Sequence, residues 1–197
     1  MLGMSSDFVQ FPPQKVQEEL YLVGFRVDPN AEGPELFTLI ASGGENDRPL
    51  VAKGRVLFFR KPKDAALALA QSDNDMKRLG QPPTELALFC DVAEVLHLVN
   101  AKQEDPDGLI LECIGCFDDL VRAAKVNVPA EYMSLLSAMS ERLMESNEFG
   151  SFLADKGLDR EKLEDALMWC VGAVAVKATV VSGIGVLGLR NQLIRSC

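Results

Sequence analysis

Residues 105–125, DPDGLILECIGCFDDLVRAAK, predict a central helix around which the rest of the chain is organised. Asp105 and Pro106 are typical of a helix start, because aspartate accepts a bond from an unpaired amide and proline has no amide to leave unpaired. Apolar residues then recur at steps of three and four, which predicts one core face and one solvent face. The core face is Leu109, Ile110, Cys113, Ile114, Phe117, Leu120, Val121 and Ala124, and the solvent face is Gly108, Glu112, Gly115, Asp119 and Arg122.

The first hundred residues predict an antiparallel sheet in the element order βββαβα. Runs of β-branched and aromatic residues predict strands at 20–27, 35–41 and 55–59, the first two as an antiparallel pair with the third beside them. A fourth strand is predicted at 85–90. Asp64 and Asp91 are the predicted N-caps of two short helices, which together with the central helix would cover the sheet.

Beyond the central helix the pattern is helical. Helices are predicted to begin near Asn127 and at Asp159, with a shorter one at 149–154. The core face of the Asp159 helix is predicted to be Leu163, Ala166, Leu167, Cys170, Val171 and Val174. We therefore predict an α+β protein in which a mostly helical half, 101–197, packs on a sheet-containing region, 1–100. A single compact domain is the alternative.

Composition restricts the function classes. The chain has 197 residues, a formal charge of −9 and 48% apolar residues, which is ordinary for a globular protein. Neither half is basic, so non-specific binding to nucleic acid or an anionic membrane is disfavoured. The first residues, MLGMSSDFVQFPPQ, predict no export or lipidation signal. Five sparsely spaced cysteines do not resemble a disulfide scaffold, and they favour a reducing cytoplasm.

Cys113 and Cys116 form a Cys-x-x-Cys pair within the central helix. A redox pair normally has its first thiol at a helix N-terminus, where the helix dipole lowers the thiol pKa. Asp105 as the cap would place Cys113 roughly two turns inside, beyond the reach of the dipole. We expect buried structural cysteines, with redox or metal chemistry as the alternative.

His97 is the only histidine, and this limits both metal and nucleophile chemistry. Glu94 and His97 match half of a di-iron motif, but the other half needs a second histidine. Cys90, His97, Cys113 and Cys116 have the right chemistry for structural zinc, although they fall on a strand end and two helices instead of on metal-binding turns. We predict no metal and no cofactor.

Other catalytic patterns are absent or weak. The sequence has no Gly-x-Ser-x-Gly elbow and no phosphate-binding Gly-x-x-x-x-Gly-Lys loop. Asp118 and Asp119 are adjacent on a helix and are interpreted as a solvated face. The one basic stretch, with Arg55, Arg60 and Lys61, is interpreted as a strand with basic ends, a local site for an anion or an acidic partner being the alternative.

The C-terminal region predicts self-association. Residues 166–189 contain one charge, Lys177, and are too apolar to face water in a soluble monomer. The Gly-x-Gly-x-x-Gly of residues 183–188 lacks the chain length that a dinucleotide fold needs after it, and Lys177 disfavours a membrane span. We expect a homodimer through this segment, with burial inside one chain as the alternative. The function predicted is a non-catalytic cytoplasmic interaction or regulatory protein, and the alternative is an enzyme with a carboxylate or thiol pocket.

Overall fold

A seven-stranded mixed sheet forms the centre of the computed structural model, which describes residues 17–44, 46–71, 75–101, 108–145 and 159–181. About half of the described residues are helical and a quarter are in strands, which confirms the α+β class. The strands are Glu19–Arg26 (β1), Leu36–Ser42 (β2), Arg48–Pro49 (β3), Val51–Ala52 (β4), Arg55–Phe59 (β5), Leu86–Asp91 (β6) and Ala178–Val181 (β7).

The sheet is mixed, whereas an antiparallel one was predicted. β1 and β2 form the expected antiparallel pair, with Leu22 opposite Leu39. β5 pairs with β2 at a single position, Phe59 opposite Phe37, and continues along β4. β6 is parallel to β1 and β7 is parallel to β5. Both parallel strands enter the sheet after a helix, and a helical crossover is what allows a strand to return in the same direction.

Helices cover both faces of the sheet. They are Pro62–Gln71 (α1), Val92–Ala101 (α2), Leu109–Ala123 (α3), Ala130–Glu145 (α4) and Arg160–Val176 (α5), and a 3-10 turn spans Asp75–Leu79. Alternate residues of each strand face opposite cores, as the pleat requires. Leu57 and Phe59 pack with α1 and the 3-10 turn, whereas Val56 and Phe58 pack with α2, α3 and α5. The result is three layers with the sheet in the middle.

The central helix α3 begins at Leu109, later than predicted. Its N-cap is Gly108, which has φ 71 in the left-handed region that glycine tolerates, and which is buried although its predicted position was on the solvent face. The predicted cap, Asp105, lies outside the described residues. Cys113 is therefore the fifth residue of the helix, still beyond the first turn. All predicted core residues are buried except Leu109, which is half-buried.

Two predicted N-caps are confirmed at atomic detail. Asp91 Oδ1 accepts the Glu94 amide at 3.0 Å, and Asp159 Oδ1 accepts the Lys162 amide at 3.0 Å. Asp64 lies in the first turn of α1, which begins two residues earlier, at Pro62. The helix predicted at 149–154 lies outside the described residues. Within the described ranges, every helix is too short or too polar to traverse a bilayer.

Candidate functional site

Three thiols converge in the core between β6 and α3. Cys90, at the end of β6, faces Cys113 and Cys116 on α3, and all three are at most 4% exposed. The Sγ atoms of Cys90 and Cys113 are 2.9 Å apart. Hydrogen bonding to Cys113 and Cys116, with burial, raises the pKa of the Cys90 thiol well above its usual value. The expected burial of Cys113 and Cys116 is confirmed. The closest sulfur contact, between Cys90 and Cys113, joins the strand β6 to the helix α3.

His97 is exposed on α2, whereas the three thiols are buried. Among the described residues, no group of three or more histidine, cysteine, aspartate or glutamate side chains is arranged to hold a metal ion. Glu94, the predicted motif partner of His97, has its carboxylate 3.8 Å from the Arg26 guanidinium. The zinc and di-iron patterns considered from the sequence therefore gain no geometric support.

The basic stretch divides into one fixed arginine and two exposed side chains. The Arg55 guanidinium donates to the Ala178 carbonyl at 2.7 Å, the Val176 carbonyl at 3.1 Å and the Thr179 hydroxyl at 3.0 Å. It thereby binds the turn between α5 and β7. Arg60 and Lys61 are exposed where β5 leads into α1. These three cations are therefore not gathered around one anion site.

A hollow of about 350 Å³ with a mixed lining lies beside the thiol cluster, and we call it the polar hollow after the carboxylates in its wall. Its wall includes Tyr21, Asp47, Glu112, Cys116 and Asp119. Burial raises the pKa of the Asp119 carboxyl to about 6, against the opposing charge of Arg122. The Asp119 side chain is only 18% exposed, so it does not belong to the fully solvated face inferred from the sequence.

Arg122 accounts for the position of this carboxyl. Its guanidinium donates to Asp118 at 2.9 Å and also contacts Asp119, one turn earlier on α3. It reaches the Asp47 carbonyl at 3.3 Å, in the loop before β3. The helix is thereby bound to the sheet edge, and Asp119 is held at the mouth of the polar hollow. Neighbours three and four residues apart on a helix are placed for such contacts.

A separate, apolar groove lies between the sheet and the helices α3 and α5. Its volume is about 310 Å³. Every side chain in its wall is apolar: Phe25, Val27, Leu36, Phe58, Phe117, Leu120, Val171, Val174, Ala175, Ala178 and Val180. Val27 and Val180 at its rim are 45% and 48% exposed. A pocket with this lining binds apolar groups and has no side chain suited to acid–base chemistry.

The outer side of α5 continues the apolar surface. Met168 is 48% exposed and Val176 is 72% exposed. A second, shallow hollow of about 450 Å³ lies along this helix and is lined by Val126, Trp169, Gly172, Ala173, Val176 and Lys177. We call Val27, Met168, Trp169, Gly172, Ala175, Val176 and Val180 the α5–β7 surface. The C-terminal half of α5 is apolar on its outer side as well as its inner side, and such a helix normally has a further partner.

Sequence reasoning identified the apolar region but not the strand that shapes it. Residues 178–181, ATVV, have the β-branched character of a strand, and this was the available indication. Lys177 directly precedes them and ends α5. The rest of the predicted apolar segment, residues 182–189, including the glycine pattern, lies outside the described residues.

Comparison with known proteins adds a weak likeness to one solved structure. No protein-family model matches the sequence, and no curated protein matches it. A solved structure described as the C-terminal domain of SatS in complex with bromine is similar, with a TM-score of 0.49 and 11% sequence identity. The alignment covers 84% of this chain and 94% of that chain. A likeness at this level carries no argument about fold or function, so the proposals below depend on the chain's own residues.

Proposed function

We propose that this chain is a non-catalytic interaction protein of the cytoplasm that works as a homodimer through the α5–β7 surface. The observation that carries the proposal is the exposure of apolar side chains on a helix and the strand that follows it. Met168, Val176 and Val180 are each about half exposed or more. Two apolar hollows flank the same helix. Contiguous apolar surface of this kind marks association sites.

A second copy of the chain suits this surface electrostatically. The protein has a formal charge of −9, so most faces of two copies would repel each other. The residues lining the two apolar hollows include one charge, Lys177, and no carboxylate. A two-fold contact places identical patches together and therefore adds no acidic repulsion here. Within the described residues, β7 pairs with β5 alone, so its outer edge is available to a partner strand.

Light scattering of the wild type and of Val176→Glu tests the proposal. Val176 is 72% exposed, so a charge there should leave the monomer folded while disfavouring an apolar interface. Leu67→Glu on α1 is the matched control, because Leu67 is 41% exposed and lies on the other face of the sheet. We expect the wild type and Leu67→Glu to be dimers and Val176→Glu to be a monomer.

A monomeric wild type at high concentration would refute the homodimer. Residues 182–197, which follow β7 in the sequence and lie outside the described residues, are the other candidate cover. If these residues cover the groove, their removal would cause the protein to associate, whereas an interface that includes them would be lost. A dimer that Val176→Glu leaves intact would place the interface on another surface.

The cytoplasmic location is part of the same proposal. Cys90, Cys113, Cys116 and Cys170 are all free thiols, which suits a reducing compartment. Fluorescent fusion and cell fractionation would test it. Recovery of the protein in an exported fraction would contradict it.

An enzyme is the second candidate, and the polar hollow is the observation that favours it. A carboxyl with a pKa of about 6 beside a cavity is suited to general acid–base catalysis near neutral pH. The carbon-13 shift of the Asp119 carboxyl, followed against pH, tests this candidate first. A midpoint near the ordinary value of 3.8 would remove its support.

A further inference from the structure

We propose that Cys90 and Cys113 are a site of oxidation, at which a hydroperoxide forms a disulfide that joins α3 to the end of β6. This pair is not the Cys-x-x-Cys pair, Cys113 and Cys116, that the sequence makes conspicuous. The proposal concerns a modification site and does not depend on the homodimer. Its basis is the geometry of the three buried thiols.

The sulfur atoms of Cys90 and Cys113 are already close to bonding distance. Their separation is 2.9 Å, whereas a disulfide has a length of about 2.05 Å. The sulfurs therefore need to approach by less than one ångström. Two cysteines cannot be bridged without backbone movement where their Cα atoms are more than about 7 Å apart or their Cβ atoms point away from each other. Here the side chains already point at one another across the interface of strand and helix.

The environment of Cys90 distinguishes the two thiols, because at a separation of 2.9 Å either sulfur can donate to the other. The raised pKa of Cys90 agrees with a thiol that keeps its proton until the second step. Thiolates, not thiols, are the nucleophiles in this chemistry. We assign the first attack to Cys113 and the second to Cys90, whose proton is held until then.

The reaction with hydrogen peroxide balances in two steps. Cys113 sulfur attacks one peroxide oxygen, the oxygen–oxygen bond breaks, and the departing hydroxide takes the Cys113 proton to become water. The product is a sulfenic acid on Cys113. Cys90 sulfur then attacks Cys113 sulfur, the sulfur–oxygen bond breaks, and the departing hydroxide takes the Cys90 proton to become a second water. Peroxide is reduced to two waters, and two thiols become one disulfide.

The polar hollow reaches the thiol cluster at Cys116 but is not lined by Cys90 or Cys113. Cys116 forms part of its wall, and this thiol is a hydrogen-bonding neighbour of Cys90. Leu88, two residues before Cys90 in the sequence, also lines the hollow. Hydrogen peroxide is little larger than water and can approach a buried thiol from such a hollow, whereas a bulky alkylating reagent cannot. We expect slow alkylation of the native protein together with oxidation of one specific pair.

Peptide mapping after peroxide treatment tests the proposal. Protein with Cys197→Ser is used, so that this thiol cannot form other bridges. We expect the number of free thiols to fall by two and the peptide containing Cys90 to become joined to the peptide containing Cys113. Fragmentation of the joined peptides between Gly115 and Cys116 shows whether Cys113 or Cys116 carries the bridge. This assignment uses the otherwise wild-type chain, so it does not depend on whether a variant in the core folds. The bridge should raise Tm by roughly 5–10 °C, because it closes a loop of more than twenty residues.

Two alanine variants separate the pairs. Cys116→Ala should keep the bridge, and Cys113→Ala should abolish it. Cys170→Ala is the matched control, because Cys170 is equally buried but lies on α5. An unchanged thiol count under peroxide overturns the proposal. A bridge that fragmentation places on Cys116, or that Cys116→Ala removes, overturns the assignment of the pair.

Discussion

Replacing Asp91 with alanine removes two contacts that this one carboxylate makes at the junction of β6 and α2. Its Oδ1 atom caps α2 by accepting the Glu94 amide at 3.0 Å. The same carboxylate receives two bonds from Arg26 on β1, at 2.7 Å and 2.8 Å. Its side chain is 9% exposed and that of Arg26 is 20% exposed, so the pair is largely shielded from water.

The expected loss of unfolding free energy is the sum of these two effects. Loss of an aspartate N-cap costs about 1 kcal/mol. Removing one partner of a buried ion pair costs roughly 3–5 kcal/mol, because the remaining charge is uncompensated. Arg26 is partly exposed and keeps the Ala31 carbonyl at 3.2 Å and Glu94 at 3.8 Å, so the lower part of this range applies. We expect a total loss of about 4 kcal/mol.

Urea unfolding at neutral pH measures this loss, and the chain contains its own control. Asp159→Ala removes the cap of α5, an exposed cap, and should cost about 1 kcal/mol. Asp91→Asn keeps a capping oxygen but removes the charge, so its loss should lie between the two. The reasoning is refuted if Asp91→Ala costs no more than Asp159→Ala, since the contact with Arg26 would then contribute nothing.

Two further substitutions test the electrostatics of α3 and the turn after α5. The folded pKa of Asp119 is raised from 3.8 to about 6, so its contribution to stability is full below pH 3.8 and is lost as pH rises through about 6. When the free energy of unfolding is measured against pH, Asp119→Asn should abolish this decline, and the control Asp118→Asn should preserve it. Parallel pH profiles for Asp119→Asn and the wild type would contradict the raised pKa of Asp119. Arg55→Ala should cost about 1 kcal/mol in urea unfolding, because it removes the bonds that fix the turn, and Arg60→Ala should cost less. Equal losses for the two arginines would show that these bonds are not stabilising.

The parts of the fold that could be predicted are those set by local pattern. The core faces of α3 and α5 follow from apolar residues at steps of three and four. The Asp91 and Asp159 caps follow from a polar side chain that directly precedes an apolar run. The antiparallel pair of β1 and β2 follows from two strand-like runs joined by a short turn-rich segment. In each case the neighbours in space are also neighbours in sequence.

The parts that could not be predicted depend on contacts between distant segments. The parallel pairing of β7 with β5 joins residues 178–181 to residues 56–59, and nothing local specifies that direction. The burial of Asp119 results from packing beside the sheet edge, although the helical pattern alone puts this residue outside. The short sulfur contact unites Cys90 with Cys113 across 23 residues, and spacing in sequence favoured Cys113 with Cys116 instead. A pattern within one element cannot show which face another element covers.

Hydrogen exchange of the β7 amides at low and high protein concentration tests the α5–β7 surface most directly. Within the described chain, β7 pairs on one side only, so part of its backbone is open to a partner. Amide protection reports such coverage residue by residue. We predict that protection of Ala178–Val181 and of the C-terminal half of α5 increases with concentration, while α1 is unchanged. Protection that is independent of concentration would contradict self-association through this surface.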